Sequence, residues 1–136
     1  MNAGRFAGAA VAVWVVRVAL NWTFYTQVVG SQFKQIADAH PGVFREVIPA
    51  YIMIDLLFAL VFVALFAKVG SACGGGAKAG AKLGVIVAML SPVLGILYQY
   101  YSFTFIQPGL AATEAIFQLV ATAVQGVVAG LMYKTS

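Results

Sequence analysis

Of the polar side chains within otherwise apolar stretches of this sequence, six are the first residues to consider for chemistry. They are Arg17, Asn21, Asp55, Gln99, Glu114 and Gln118. A charge at the centre of a bilayer costs at least about 2.5–3.5 kcal/mol, so an ionisable residue there is a functional candidate. These six residues therefore suggest a site for a proton, an ion or a small polar ligand.

The spacing of the polar residues predicts two polar helix faces, since residues three or four apart are neighbours on a helix. The first face holds Trp14, Arg17, Asn21 and Tyr25. The second face holds Glu114, Gln118, Thr122 and Gln125. Because acyl chains offer no hydrogen bonds, we expect the two faces to meet each other, to line a wet cavity or to contact a partner chain.

Depth in the membrane indicates which of these groups can meet. At about 1.5 Å of helix rise per residue, Asn21 lies about 9 Å from the outer surface, Asp55 about 10–12 Å and Gln118 about 12 Å. Arg17 lies about 18 Å deep, but its long side chain reaches outward. We predict that Arg17 pairs with Asp55, supported by Asn21. The competing partner is Glu114, at about 6 Å.

A structural role is the alternative to a ligand site. A buried ion pair with an amide network would fix the registry of the helices. An arginine beside a carboxylate also keeps that carboxylate ionised, which opposes proton shuttling. The residues favour the structural role and leave the functional one open.

Apolar stretches of membrane-spanning length contain these residues. Of 136 residues, eight are Lys or Arg, four are Asp or Glu, and 62% are hydrophobic. A soluble domain carries roughly 25% charge, so a soluble globular fold is excluded. Four stretches, about 6–29, 47–67, 83–101 and 110–132, match the roughly 20 apolar residues of a transmembrane helix. We predict an all-α membrane protein with one domain, 1–136, a four-transmembrane-helix bundle whose first span is retained, not cleaved as a signal peptide.

Basic residues near the span ends predict the orientation. One side would carry Arg5, Lys68, Lys78, Lys82 and Lys134. The other side would carry only Lys34 and Arg45. Because basic residues collect on the cytoplasmic side, we expect both termini in the cytoplasm of a multi-pass protein of the bacterial inner (plasma) membrane.

The connections between spans differ in kind. Residues 31–40 are amphipathic, with Ser31 as a candidate N-cap, and predict a short helix on the outer membrane surface. Residues 70–80 are rich in glycine and alanine, and we expect a flexible cytoplasmic link. Pro92 is expected to kink the third span near mid-membrane.

Pairs of glycines one helical turn apart predict close helix packing. The pairs are Gly4 with Gly8, Gly80 with Gly84, and Gly126 with Gly130. All lie toward the cytoplasmic side, so we expect a bundle that is tight there and opens into a cavity on the outer side. The glycines could serve contacts within the chain or to another protein.

The two halves of the chain match weakly. Pro49, Asp55 and Phe58 align with Pro108, Glu114 and Phe117 at the same spacing. The match suggests a duplicated helical hairpin, with both copies starting on the same side. Chance similarity between two apolar hairpins is the alternative.

Little in the sequence suggests catalysis. With Cys73 and His40 as the single cysteine and histidine, no CxxC pair or histidine-rich metal site is present. Asp55 and Glu114 differ in depth by about 5 Å, which disfavours paired-acid hydrolysis. We expect no enzyme activity, no cofactor and no metal. The scattered basic residues form no nucleic-acid patch.

The function expected from these features is that of a non-catalytic accessory or assembly subunit of a membrane complex, or of a small oligomer. Its partners would be the lipid bilayer and other membrane protein subunits or copies of itself. The alternative is a small transporter or polar-ligand-binding protein that uses an outward-facing cavity. Binding of a lipid, quinone or pigment stays open.

The overall plan resembles small bacterial four-helix integral membrane proteins of unassigned function. The resemblance covers the whole chain but depends on no specific motif, so it implies the fold and no residue roles. Small multidrug exporters share the length and the number of spans. They use a glutamate within the first helix, where this sequence has Arg17, which counts against that family.

Overall fold

The computed structural model describes residues 2–133, which form six α-helices and one π-helical turn. The helices are α1 (Ala3–Thr23), α2 (Gly30–Ala39), α3 (Ile48–Val69), α4 (Gly76–Leu90), α5 (Pro92–Ser102) and α6 (Pro108–Met132). The π-helical turn, Phe24–Val28, directly continues α1. No strand occurs among the described residues, so the all-α prediction is confirmed for them.

Four helical segments are long and apolar enough to cross a membrane. They are Ala3–Val28, Ile48–Val69, Gly76–Ser102 and Pro108–Met132. Their number and order match the four predicted spans. The agreement has a simple cause, since about 20 consecutive apolar residues suffice to cross the hydrocarbon core as a helix.

The helices α1 and α6 occupy the centre of the arrangement. α3 packs mainly against α1, whereas α4 and α5 pack against α6. The rings of His40 and Phe105 lie 5.3 Å apart, so the connections at residues 29–47 and 103–107 meet at one end. We call this the loop end. The opposite end, which carries residues 70–75 and Tyr133, is the terminal end.

The main apolar core lies toward the terminal end. Ala9 and Val13 of α1 are buried there in one cluster with Phe62 and Phe66 of α3. Small side chains on α1 leave room for the two phenylalanine rings. In lipid, this packing stabilises the helix pair without any help from the release of water.

The helices α4 and α6 approach so closely that no side chain fits between them. A Cβ atom added to Gly80 would overlap the carbonyl oxygen of Gly126, and one added to Gly126 would overlap that of Gly80. Gly84 and Gly130 meet the backbone of the facing helix in the same way. These four glycines therefore form a backbone contact within the chain, which we call the glycine seam.

Gly4 and Gly8 take no part in such packing within the chain, so for this pair only contact with another protein stays as a prediction. An added Cβ atom would meet nothing within 4 Å at Gly8 and only the Asn2 side chain, at 3.4 Å, at Gly4. Both glycines are exposed, because α1 buries the face that carries Ala9 and Val13. The spacing of small residues shows where close contact is possible but not which way the helix is rotated.

The glycine-rich link is shorter than predicted. The chain turns at residues 70–75, and α4 already begins at Gly76. Residues 76–80 join the helix because alanine and lysine favour helices and Gly80 packs against α6. Gly74 and Gly75 have φ angles of +101° and +70°, which glycine adopts without steric cost.

The third span is interrupted where Pro92 predicted a kink. α4 ends at Leu90, Ser91 has φ −129° and ψ −79°, and α5 begins at Pro92. Proline has no N–H group and its ring clashes with the preceding helical turn. The span therefore consists of two helices instead of one bent helix.

The short helix predicted at residues 31–40 is present as α2, but it starts earlier. Its N-cap position is held by Val29 and not by Ser31. The Val29 N–H donates to the Phe24 carbonyl and the Phe33 N–H donates to the Val29 carbonyl, so helical hydrogen bonding passes from the first span into α2. Ser31 thus lies inside the helix, where no N-cap is needed.

Candidate functional site

Arg17 and Asp55 form an ion pair inside the bundle. Nε of Arg17 lies 2.7 Å from Oδ1 of Asp55, and each side chain is only 12% exposed. Nδ2 of Asn21 donates a hydrogen bond to the same oxygen at 3.3 Å. Arg17 and Asn21 are four residues apart on α1, so both reach one carboxylate on α3. The predicted pairing of Arg17 with Asp55, supported by Asn21, is confirmed.

Two further contacts stabilise the Arg17 guanidinium. Nη1 donates to Oε1 of Gln125 on α6 at 3.4 Å. The guanidinium carbon lies 3.9 Å from the centroid of the Phe58 ring, which is a cation–π contact. Arg17 thereby connects α1 to α3 and α6, the two helices that flank it.

The polar face of α6 points into the bundle. Glu114 and Gln118 are each 6% exposed, and Thr122 and Gln125 are fully buried. The contact between Arg17 and Gln125 shows that this face meets the polar face of α1. The two predicted polar faces therefore lie against each other. We call the resulting row the polar column: Arg17, Asn21, Asp55, Glu114, Gln118, Thr122 and Gln125.

Four buried atoms of the polar column have no hydrogen-bond partner within residues 2–133. They are Asn21 Oδ1, Gln118 Oε1, Thr122 Oγ1 and Gln125 Nε2. Leaving a buried polar group unpaired costs about 1–3 kcal/mol. Buried water and polar ligands are the usual partners of such groups. The column therefore offers four polar atoms with which water or a polar ligand can form hydrogen bonds.

Glu114 lies at the loop-end side of the column. The Tyr25 side chain lies near Glu114 and Gln118, so the π-helical turn adds a hydroxyl group to this side of the column. The single ion pair found between described residues joins Arg17 to Asp55 and does not include Glu114. The competing pairing of Arg17 with Glu114 is thus not observed.

An apolar layer closes the column toward the loop end. The rings of Phe24 and Phe117 stack with their centroids 3.9 Å apart. Val29, Ile36 and Leu110 are buried in the same cluster. α2 supplies Ile36, so the short helix at the loop end covers the column.

A pocket of about 260 Å³ lies between α2 and the start of α6. His40, Gln35 and Gln107 contribute polar groups to its lining, and Leu110 is shared with the apolar layer. The cavity predicted from the sequence was expected around Arg17, Asp55 and Glu114. The structure places a pocket at the expected end of the bundle, but the apolar layer separates it from the column.

Gln99 lies outside the polar column, contrary to the prediction. It is exposed on α5, which buries Val93 and Ile96 instead. Counting residues along a helix gives the depth of a side chain but not its direction around the axis. The break at Ser91 also changes the rotation of α5 relative to α4.

Four residues outside the six predicted ones complete the site, namely Tyr25, Phe58, Thr122 and Gln125. Tyr25, Thr122 and Gln125 belong to the two predicted polar faces but are not among the six predicted site residues. Phe58 enters the sequence analysis only as the match of Phe117 in the predicted repeat. Its position three residues after Asp55 places it on the same side of α3.

The column offers oxygen atoms of carboxylates, amides and a hydroxyl. No group of three or more His, Cys, Asp or Glu that could hold a metal ion occurs in the part of the chain that the structure describes. Amide, hydroxyl and carboxylate oxygens suit water, protons and hard cations. Comparison with known protein families, curated proteins and solved structures finds no match for this chain.

Proposed function

We propose that this chain is a multi-pass membrane protein that binds a small polar species inside its helix bundle, as a transporter or ligand-binding protein does. The observation that supports this proposal is the set of four unpartnered buried atoms in the polar column. An ion pair that only fixed helix registry would need no such atoms. Each would cost stability unless a bound species offset it.

The proposed setting is the bacterial inner membrane, with both termini in the cytoplasm. The excess of basic residues near the terminal end supports this orientation. The loop end, with its pocket and apolar layer, would then face outward. The duplicated hairpin is a further proposal, supported by the matching positions of Asp55 and Glu114 in the two halves.

We expect Gln118→Leu to abolish binding while leaving the bundle folded. The change removes one unpartnered oxygen and keeps the side chain close to its original volume. Melting temperatures in detergent would be compared across alkali chlorides at constant ionic strength and across small neutral polar solutes. At least one of these should raise the melting temperature of the wild type but not that of Gln118→Leu.

The matched control is Ile116→Leu, which alters a 62% exposed side chain on the opposite face of the same helix. It should respond like the wild type. If no solute stabilises the wild type and Gln118→Leu melts at a higher temperature, the column is a structural network and the proposal is wrong.

An accessory or assembly subunit is the second candidate function. The observation that favours it is an apolar groove of about 520 Å³, lined by Trp14, Val18 and Trp22 of α1 and by Ile52 of α3. Such a groove, open along two packed helices, fits a transmembrane helix of a partner subunit. No residue of the polar column lines the groove, so the two functions are compatible.

Cysteine crosslinking in native membranes tests the second candidate. Ala19→Cys places a thiol in the groove, and Ile116→Cys places one on the exposed face of α6, both in a Cys73→Ser background. We expect a discrete crosslinked product at position 19 and none at position 116. If lipid-soluble thiol reagents label positions 19 and 116 equally and neither position gives a crosslinked product, the proposal of a partner in the groove is wrong.

A further inference from the structure

We infer that the species bound in the polar column is a monovalent cation that replaces a proton at Glu114. The inference rests on the proposed function and specifies its ligand. Three observations carry it: the charges in the column, the chemistry of the unpartnered atoms and the position of Glu114.

The charges in the column leave one negative group without a partner. Arg17 and Asp55 neutralise each other across 2.7 Å. Glu114 is buried and forms no ion pair with any residue from 2 to 133. An unpaired charge in a site of low dielectric is costly, so an ionised Glu114 requires one positive charge. A bound anion would double the negative charge, and a divalent cation would leave one positive charge in excess.

The unpartnered atoms favour a cation that prefers oxygen. Three of the four are oxygens, on Asn21, Gln118 and Thr122. Amide and hydroxyl oxygens replace the hydration shell of alkali cations in the way that backbone carbonyls do in ion-selective pores. The fourth, Nε2 of Gln125, is a donor and lies beside the Arg17 end of the column. The oxygens thus lie between the ion pair and Glu114, which provides the negative charge.

Glu114, Gln118 and Thr122 follow one another at four-residue intervals on one face of α6. The Tyr25 side chain of the first span lies near Glu114 and Gln118. Gln118 therefore lies at the centre of the oxygen-rich part of the column. A cation bound near it would be within reach of side chains from both polar faces.

The exchange step is a balanced acid–base reaction. The O–H bond of the neutral Glu114 carboxyl breaks, the proton passes to water, and the carboxylate takes the cation as its counter-charge. No electron is transferred. The titratable and charged groups of the column beside Glu114 are Tyr25, Arg17 and Asp55. Of the other helices packed against α6, α4 carries Lys78 and Lys82 near the terminal end. α5 adds three tyrosines: Tyr98 and Tyr101, which are exposed, and Tyr100, whose ring contacts that of Tyr101.

To test the inference, the melting temperature of the purified protein in lipid nanodiscs is measured in NaCl, LiCl and KCl. Each is compared with choline chloride at the same ionic strength. At least one alkali cation should raise the melting temperature by about 5 °C or more at saturation. In weakly buffered solution, a pH dye should report about one proton released per protein at the same concentration. Glu114→Gln should lose both effects, because the amide can neither release a proton nor supply the charge.

Two variants accompany this experiment. Glu46→Gln removes an exposed carboxylate outside the spans and should behave like the wild type. Thr122→Val removes one unpartnered hydroxyl without changing the side-chain shape, so it should keep the fold even if Glu114→Gln does not. We expect Thr122→Val to raise the half-saturating cation concentration about tenfold.

The inference would be overturned if the melting temperature were the same in choline chloride and in all three alkali chlorides. It would also be overturned if a cation bound without release of a proton. If a neutral polar solute stabilises the wild type but not Gln118→Leu, the inference fails while the proposed function stands. If nothing stabilises the wild type, both are wrong.

Discussion

Replacing Arg17 by glutamine is expected to lower the melting temperature of the protein in detergent by about 10 °C or more. Asp55 would lose its ion-pair partner at 2.7 Å while staying buried between α1 and α3. Removing one member of a buried ion pair costs about 3–5 kcal/mol, because the other charge stays behind unpaired. For a chain of this size, each kcal/mol corresponds to roughly 3–4 °C.

A second change at Asp55 should restore part of the loss. In the double variant Arg17→Gln with Asp55→Asn, both charges are gone and the two amides can bond to each other and to Asn21. A double-mutant cycle with Asp55→Asn alone should give a coupling energy of more than about 1 kcal/mol. Differential scanning fluorimetry of the four proteins, purified in one detergent, supplies the measurement.

Arg5→Gln is the matched control, since it removes an arginine from the same helix at an exposed position. It should leave the melting temperature within about 2 °C of the wild type, as surface substitutions do. An unchanged melting temperature in Arg17→Gln would show that the pair contributes nothing to the fold.

Replacing Gly126 by alanine is expected to have the second large effect. It should lower the free energy of unfolding by about 3 kcal/mol or more. The added methyl group would overlap the Gly80 carbonyl across the glycine seam. A clash with backbone cannot be relieved by a change of rotamer, so α4 and α6 must move apart. The separation would also weaken the contacts at Gly84 and Gly130, which share the seam. Thermal unfolding in detergent would report the change, and so would faster trypsin cleavage after Lys78, in the first turn of α4.

Gly95→Ala provides the control, because it makes the same substitution in another membrane-spanning segment, in α5, outside the glycine seam. A Cβ atom at Gly95 would meet nothing within 4 Å. Since alanine favours helix formation over glycine, this variant should be as stable as the wild type or slightly more stable. Equal losses in Gly126→Ala and Gly95→Ala would mean that the seam is not a close contact.

The two carboxylates at matching positions of the predicted repeat lie in different surroundings. Asp55 has Arg17 as its partner. The same repeat alignment, which places Gly4 on Gly80, places Arg17 on Val93, a buried apolar residue of α5. The second half therefore has no arginine for Glu114. This asymmetry is the reason why we expect Asp55 to serve the fold and Glu114 to serve binding.

Much of the architecture follows from the sequence alone, for reasons that act locally along the chain. Twenty consecutive apolar residues leave a helix across the bilayer as the stable state, so four such runs predict four spans. Helical periodicity groups Arg17 with Asn21 and Glu114 with Gln118. The high cost of an unpaired charge in lipid then makes the pairing of Arg17 with Asp55 predictable from depth.

The tertiary structure decides what depends on the rotation and contact of helices. Depth counting could not show that Gln99 faces outward or that Gln125 reaches Arg17. The spacing of small residues could not show that Gly80 packs against another helix and Gly8 does not. Both belong to pairs of glycines four residues apart, and that spacing is the same in the two helices. Which atoms stay without a partner depends on where three helices place their side chains together. For that reason the sequence determines the four spans and the polar residues within them, while only the packed bundle decides which of those residues form a site.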